Sequence, residues 1–316
     1  MMDLGTLDRK KFDDPVLTAK GERRARVGLK ALETLWFNTG TLCNITCQNC
    51  YIESSPKNDR LVYLSLADVR IYLDEIRVKN LPVKMIGFTG GEPFMNREMI
   101  AILGETLNRG FEVLVLTNAM RPMMRYQKAL RQLREAHGGL IRFRVSLDDH
   151  RAEIHDLERG TGSFRKAMEG LRFLSREGFQ VEIAGRRLGA EPDGVARSGY
   201  RNLFAQEGVG VDCDDPAQLV IFPEMLPDSD PPEITEACWS ILQRSPADVM
   251  CATSRMVIRR KGADRPAVVA CTLIAYDNRF ELGHTLAEAT TPVALNHRYC
   301  ATFCVLGGAA CGATKG

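Results

Sequence analysis

The sequence predicts an α/β fold, a parallel sheet with helices outside that curls into a full or partial barrel. Three features point to it. Apolar runs of strand length alternate with stretches of helical periodicity through the body of the chain. The run Val113-Leu114-Val115-Leu116 is apolar without interruption, as suits a strand covered on both faces. Polar or glycine-rich segments follow successive strands, at the carboxyl ends where such sheets bind ligands.

In chain order, a first strand is expected at 35–38, just before a group of cysteines. A helix follows over 66–78, with Leu66, Val69, Ile71, Leu73 and Ile76 at helical spacing and Ser65 as the natural N-cap. Further strands are expected at 85–89, 111–117, 141–147 and 181–184, and helices at 99–109, 124–136 and 163–177. Gly110 and Gly178 stand where helix stops belong. Crossovers between parallel strands are right-handed, so the strand ends gather on one rim. That rim collects Cys43, Cys47 and Cys50 after the first strand, Thr89 to Pro93 after the second, and Thr117 and Asn118 after the third. Ser146, Leu147 and Asp148 end the fourth.

A length of 316 residues suits about two domains, or one barrel-sized domain with an appendage. Hydrophobic residues at 45% and charged residues at 26% are the composition of a globular chain and exclude a mostly disordered one. Lys and Arg number 42 against 40 Asp and Glu, a net charge of +2, without the basic bias of a nucleic-acid binder. The short run Arg259-Arg260-Lys261 reads as a solvated turn. No apolar run approaches the ~18 residues of a membrane span, and the first residues lack the apolar stretch of a secretory signal. A cytoplasmic location, with no membrane or nucleic-acid partner, is therefore expected. In a reducing compartment, ten cysteines argue for metal ligation over disulfides.

Cys43-Asn-Ile-Thr-Cys47-Gln-Asn-Cys50 spaces three thiols as CxxxCxxC. A 4Fe–4S cluster usually takes four cysteines, so three would leave one iron open. Zinc is the competing metal, but structural zinc sites want four ligands from close pairs, and no histidine is near in sequence. The second element is Gly90-Gly91-Glu92-Pro93, whose glycines let the backbone approach a ligand closely. Its carbonyls and the Glu92 carboxylate could receive an ammonium group.

Together, CxxxCxxC after the first strand and Gly-Gly-Glu-Pro after the second resemble the radical S-adenosylmethionine (SAM) superfamily, over roughly residues 31–225. The resemblance implies a partial (β/α)6 barrel and a 4Fe–4S cluster held by Cys43, Cys47 and Cys50. It implies SAM bound through its amine and carboxylate at the open iron, and reductive cleavage of SAM to a 5′-deoxyadenosyl radical that takes a hydrogen atom from the substrate. Carried over by position, Gly90, Gly91 and Glu92 would hold the methionyl amine. Ser146 and Asp148 would meet the ribose or carboxylate, Asn118 would stand at the same rim, and Arg186 or Arg187 would meet the SAM carboxylate. Tyr51 would pack near the adenine, although Asn49 stands where an aromatic is often found. A flavodoxin- or ferredoxin-type electron donor is the implied partner. No catalytic side chain is assigned.

Five further cysteines, Cys251, Cys271, Cys300, Cys304 and Cys311, crowd the end of the chain. A strand, a turn at Gly262 and a second strand would bring Cys251 and Cys271 together as a hairpin. Residues 250–311 are similar to the twitch or SPASM appendages of radical SAM enzymes, which bind auxiliary iron–sulfur clusters. One auxiliary 4Fe–4S cluster is implied, on Cys251, Cys271, Cys300 and Cys304 with Cys311 competing for a place. A zinc-stabilised tail is the alternative, with His284 and His297 available to it. Cys213 and Cys238 stand alone and read as buried small hydrophobes.

The expected organisation is an N-terminal extension over 1–30, a radical SAM core over 31–245, and a small cysteine-rich α+β domain over 246–316. The segment before Cys43 is too short for a separate peptide-binding domain, so a small molecule is the first expected substrate class and a peptide, modified by a SPASM-type maturase, the second. A non-catalytic iron–sulfur sensor or carrier and a zinc-stabilised binding protein are readings of another kind. A carrier has no use for an amine-binding turn.

Overall fold

A computed structural model describes residues 10–189, 191–224 and 229–308. The elements run β1 (Arg26–Val27), β2 (Thr34–Asn38), α1 (Leu66–Val78), β3 (Met85–Thr89), α2 (Met99–Asn108) and β4 (Glu112–Thr117). They continue with α3 (Arg121–Met124), α4 (Gln127–His137), β5 (Ile141–Ser146), α5 (Ala152–Arg159), α6 (Ser163–Arg176) and β6 (Gln180–Arg186). The last are α7 (Asp193–Glu207), β7 (Leu219–Phe222), α8 (Cys238–Ile241), β8 (Ser254–Ile258), β9 (Ala267–Val269) and β10 (Val293–Ala294).

The main sheet has the order β7-β6-β5-β4-β3-β2-β8-β9. Every neighbouring pair from β7 to β8 is parallel, and only β8–β9 is antiparallel. The sheet keeps two edges, β7 and β9, among the described residues. This is an α/β fold with helices between parallel strands, as the alternation predicts.

Side-chain alternation explains the uninterrupted apolar strands. Phe37, Phe88, Val113, Val115, Phe143 and Ile183 join one core with the helices. Trp36, Met85 and Leu114 face the other way, into a second core with Met256, Ile258, Leu273 and Phe303 from the C-terminal third. Both faces of β2, β3 and β4 are therefore covered, and these strands are apolar at odd and even positions alike. Two positions show how tightly the inner face and the helix-side core are filled. Gly87 lies under the fully buried Trp36, where a Cβ would overlap the indole, and a Cβ on Gly170 would overlap the Ala119 carbonyl.

Local signals hold where the physics is local. Ser65 caps α1 by accepting from the Asp68 backbone, and the Asp68 carboxylate returns to the Ser65 N–H in a capping box. Gly110 and Gly178 adopt positive φ just past their helices. The helix expected at 124–136 is two, because Tyr126 leaves the helical region and breaks α3 from α4. The strand β7, with only four residues, was not expected. The C-terminal hairpin turns at Gly262 as expected, but β8 extends the main sheet beside β2, since Val257 packs into the helix-side core while Met256 and Ile258 face inward. The N-terminal segment is fastened by the β1–β10 pair and by a buried Arg24–Glu233 ion pair at 2.5 Å. No helix of the described residues is long and apolar enough to cross a membrane.

Replacing Gly87 with Ala forces Trp36 or β3 to move. The expected destabilisation is about 1–3 kcal/mol, read as a lower urea midpoint; an unchanged midpoint would contradict the described packing of the inner face.

Candidate functional site

The carboxyl ends of the parallel strands open into one cavity of about 180 Å³. Cys43, Cys47 and Cys50 line it, together with Thr89, Gly90 and Gly91 at the end of β3 and Thr117 and Asn118 at the end of β4. Arg144 and Ser146 of β5, Arg186 of β6 and Phe222 of β7 complete the rim, with Leu273 and Phe303 covering it from the C-terminal third. Among the described residues that line it, the three cysteines are its thiols and no histidine is present.

The cysteine loop is held from several sides. Thr39 N and Oγ1 both donate to the Thr89 carbonyl, at 2.8 and 3.0 Å. Cys43 N donates to Ser55 O, and Gln48 N to Glu158 O at 2.9 Å. Gly91 N donates to Gly40 O and Glu92 N to Leu42 O, at 2.8 and 3.1 Å. A Cβ on Gly90 would overlap the Gly40 carbonyl, and one on Gly91 the Leu42 carbonyl. The glycines are therefore required by close approach of the chain to its own cysteine loop, and Gly90 also needs its φ of 144°.

Glu92 sits behind this contact, 1% exposed, and does not itself line the cavity. Its carboxylate accepts from Thr117 Oγ1 at 2.9 Å, Asn118 N at 2.9 Å and Phe94 N at 3.2 Å. Burial pushes its pKa up to about 7, against the lowering effect of these bonds. Asn118 does line the cavity, with its amide donating to Asn44 Oδ1 at 2.9 Å and lying 3.9 Å from the Cys43 sulfur.

Ser146 and Asp148 also reach the cavity. Asp148, however, is gripped by Arg159, which donates from Nε and Nη2 at 2.7 and 2.8 Å. Arg186 donates to Glu158 at 2.8 Å and stands 3.9 Å from Asp148. Arg187 is turned away and pairs with Asp193 at 3.6 Å. Tyr51 and Asn49 are on the lining. Burial raises Cys43 to about 12 and also raises Cys47, where Arg159 opposes the rise.

Arg159 is the main residue that sequence reasoning missed. Its guanidinium feels Asp148 first, then Cys47 and Cys50. In sequence it ends α5 instead of following a strand, although it lines the cavity, and the only local signal was its place in Glu158-Arg159-Gly160.

The second cysteine group also converges. Cys251, Cys271, Cys300 and Cys304 line one small apolar pocket, with Met250, Ile274 and Tyr299. Leu273 lines both cavities. Burial raises Cys251 to about 11 and Cys300 well above its ordinary value. Cys311 lies outside the described residues. His284 and His297 are not on the pocket lining; His284 bonds Pro266 O at 2.8 Å and His297 packs on Phe280 and Tyr299. Cys213 is buried as expected, whereas Cys238 is only half-buried, its sulfur accepting from Thr235 N.

Residues 37–189 match the model of the radical SAM superfamily. That stretch of the chain is a radical SAM domain. It is 32% identical over 143 residues to the antilisterial bacteriocin subtilosin biosynthesis protein AlbA of Bacillus subtilis, which is 45% of this chain and 30% of that protein. It is 29% identical over 151 residues to the Fe-coproporphyrin III synthase of Methanosarcina barkeri, 46% of this chain and 35% of that one. The matches thus span about a third of the length of these curated relatives. In fold it is similar to Streptococcus suis SuiB bound to the precursor peptide SuiA, with a TM-score of 0.61 at 13% identity, over 84% of this chain and 66% of that one. The superfamily's cofactors are a 4Fe–4S cluster and SAM.

The raised pKa of Glu92 has a stability consequence. A carboxyl whose folded pKa lies above its unfolded value stabilises the fold fully below the unfolded pKa and loses that contribution as pH rises through the folded one. In the iron-free protein, the stability difference between wild type and Glu92→Gln should therefore shift against wild type from about pH 5 to about pH 8. A difference in urea midpoint that stays flat over that range would contradict a raised pKa.

Proposed function

We propose that this enzyme cleaves SAM at the first cavity and abstracts a hydrogen atom from a peptide substrate. One observation supports the reading most: three thiols converge on a cavity that carries no fourth cysteine and no histidine among the described residues lining it. Cys43, Cys47 and Cys50 fit a 4Fe–4S cluster with one open iron and do not fit a closed four-ligand zinc site. When bound there, cluster and SAM together supply the one-electron reductive cleavage of SAM to methionine and a 5′-deoxyadenosyl radical, which takes a hydrogen atom from the substrate.

The residues divide the remaining work. Gly90 and Gly91 offer backbone to the methionyl amine, while Glu92 and Asn118 hold that turn and the cysteine loop in register. Ser146 stands for the ribose and Arg186 for the carboxylate. Arg159, fixed by Asp148, offsets the negative charge of the Cys47 and Cys50 thiolates, whose deprotonation metal binding requires. Leu116, Phe222, Leu273 and Phe303 supply apolar wall that excludes water. The electron enters from a flavodoxin- or ferredoxin-type donor.

The second pocket fits an auxiliary 4Fe–4S cluster on Cys251, Cys271, Cys300 and Cys304, four thiols in one apolar enclosure. In this reading residues 31–245 are the catalytic core and 246–316 the auxiliary part. Because Leu273 walls both cavities, substrate held against it would lie between the two clusters. The peptide substrate is supported by the precursor-peptide complex of SuiB and the bacteriocin role of AlbA. A small-molecule substrate is the second reading, favoured by the coproporphyrin relative.

Anaerobically purified wild type should hold about eight irons per chain, and Cys47→Ala and Cys304→Ala about four each. With dithionite and SAM, Cys47→Ala should form no 5′-deoxyadenosine, while Cys304→Ala should retain cleavage that substrate does not stimulate. Full cleavage by Cys47→Ala would overturn the assignment. Stimulation of wild-type cleavage by short peptides, and not by a porphyrin, is the outcome expected for the substrate class; the reverse would favour the second reading.

A further inference from the structure

Three arginines stand among the largest fully buried side chains, Arg24, Arg144 and Arg255. Burying a cation costs several kcal/mol unless an anion and hydrogen bonds offset the loss of water. Arg24 meets that demand through Glu233 at 2.5 Å, and Arg144 through Glu182 at 2.7 Å. Arg255, on β8 and 0% exposed, is the exception: among the described residues the side chains whose charge acts on it are the thiols of Cys251 and Cys271, not a carboxylate.

Its hydrogen bonds are also incomplete. Nε donates to Ala289 O at 2.8 Å, and Nη1 to Cys251 O at 2.5 Å and Ser254 O at 2.7 Å. Nη2 is buried and has no hydrogen-bond partner among the described residues. A guanidinium fixed by three backbone carbonyls cannot swing out to solvent, so its charge and its spare donor stay beside the four-thiol pocket. An iron–sulfur cluster held by four thiolates carries net negative charge, and its potential is set by nearby charge and by hydrogen bonds to its sulfurs.

We propose that Arg255 is the buried counter-cation of the auxiliary cluster, a positioning residue that raises the cluster's reduction potential and supplies it with the Nη2 donor. The inference rests on the auxiliary-cluster reading given above and deepens it. A fixed positive charge stabilises the more negative, reduced form of the cluster over the oxidised form. The cluster is thereby made a better acceptor of an electron from the neighbouring cavity.

The test compares wild type, Arg255→Met and Arg255→Lys, purified anaerobically with their clusters. Midpoint potentials are read by electron paramagnetic resonance during redox titration, with the Cys43–Cys47–Cys50 cluster as internal reference. The Met variant is expected to lower the auxiliary potential, the Lys variant to remain near wild type, and the reference potential to be unchanged in both. Equal auxiliary potentials in all three proteins would overturn the proposal. So would an equal fall in both variants, because the arginine fork would then matter only for the carbonyls of Ala289, Cys251 and Ser254. Should the Met variant lose the auxiliary cluster, the Lys variant decides: a retained cluster with near wild-type potential supports the proposal, and loss from both variants defeats it. A wild type holding only about four irons per chain would remove the auxiliary-cluster reading and this inference with it, a result visible before any variant is titrated.

Discussion

The site depends on a backbone contact: the turn at Gly90–Gly91 presses against residues 40–42, and nothing larger than hydrogen fits between them. Two N–H···O bonds across that contact fix the start of the cysteine loop to the end of β3. The Glu92 carboxylate then extends the tie to Thr117 and Asn118 at the end of β4. Three successive loops are thus locked into one piece before any cofactor enters, which is the preorganisation a cluster site with few ligands needs. The same contact gives the glycines a structural reason beside any contact with SAM.

The second constraint is coverage of the inner sheet face. A parallel sheet of this kind cannot leave either face wet, and here the chain's own C-terminal third supplies the cover. Met256, Leu273 and Phe303 pack on Trp36, Met85 and Leu114, while β8 adds itself to β2 through backbone pairing. The packing that completes the core therefore also brings the four-thiol pocket beside the strand ends, and leaves Leu273 as a shared wall. Tyr276 strengthens the join, its hydroxyl donating to Ile52 O at 2.8 Å just past the cysteine loop. Fold stability and site assembly are one interaction seen from two sides.

Much of this was legible in the residues. Strand and helix periods, the Ser65 cap and the glycine stops are local, and they appear where the pattern placed them. Cys43, Cys47 and Cys50 were singled out by their CxxxCxxC spacing and Gly90 and Gly91 by the Gly-Gly-Glu-Pro turn, and the strand order of a parallel sheet brings both loops to one cavity. What escaped has a common cause, dependence on distant partners. The short strand β7 has only four residues and gains its pairing from β6. Arg159 reaches the cavity from a helix end, through an ion pair with Asp148 eleven positions away. The attachment of β8 to β2 joins residues more than two hundred positions apart, and no period in the sequence carries that information. Arg255 reads as an ordinary strand-edge cation until its surroundings are known.

The central claim is that three cysteines leave one iron of the first cluster open to SAM. Electron–nuclear double resonance of the reduced enzyme with SAM carrying ¹⁵N at the methionyl amine and ¹⁷O in the carboxylate tests it most directly. Hyperfine coupling to both labels at this cluster is the result the account requires. A fully loaded, SAM-saturated enzyme that shows coupling to neither label would contradict it.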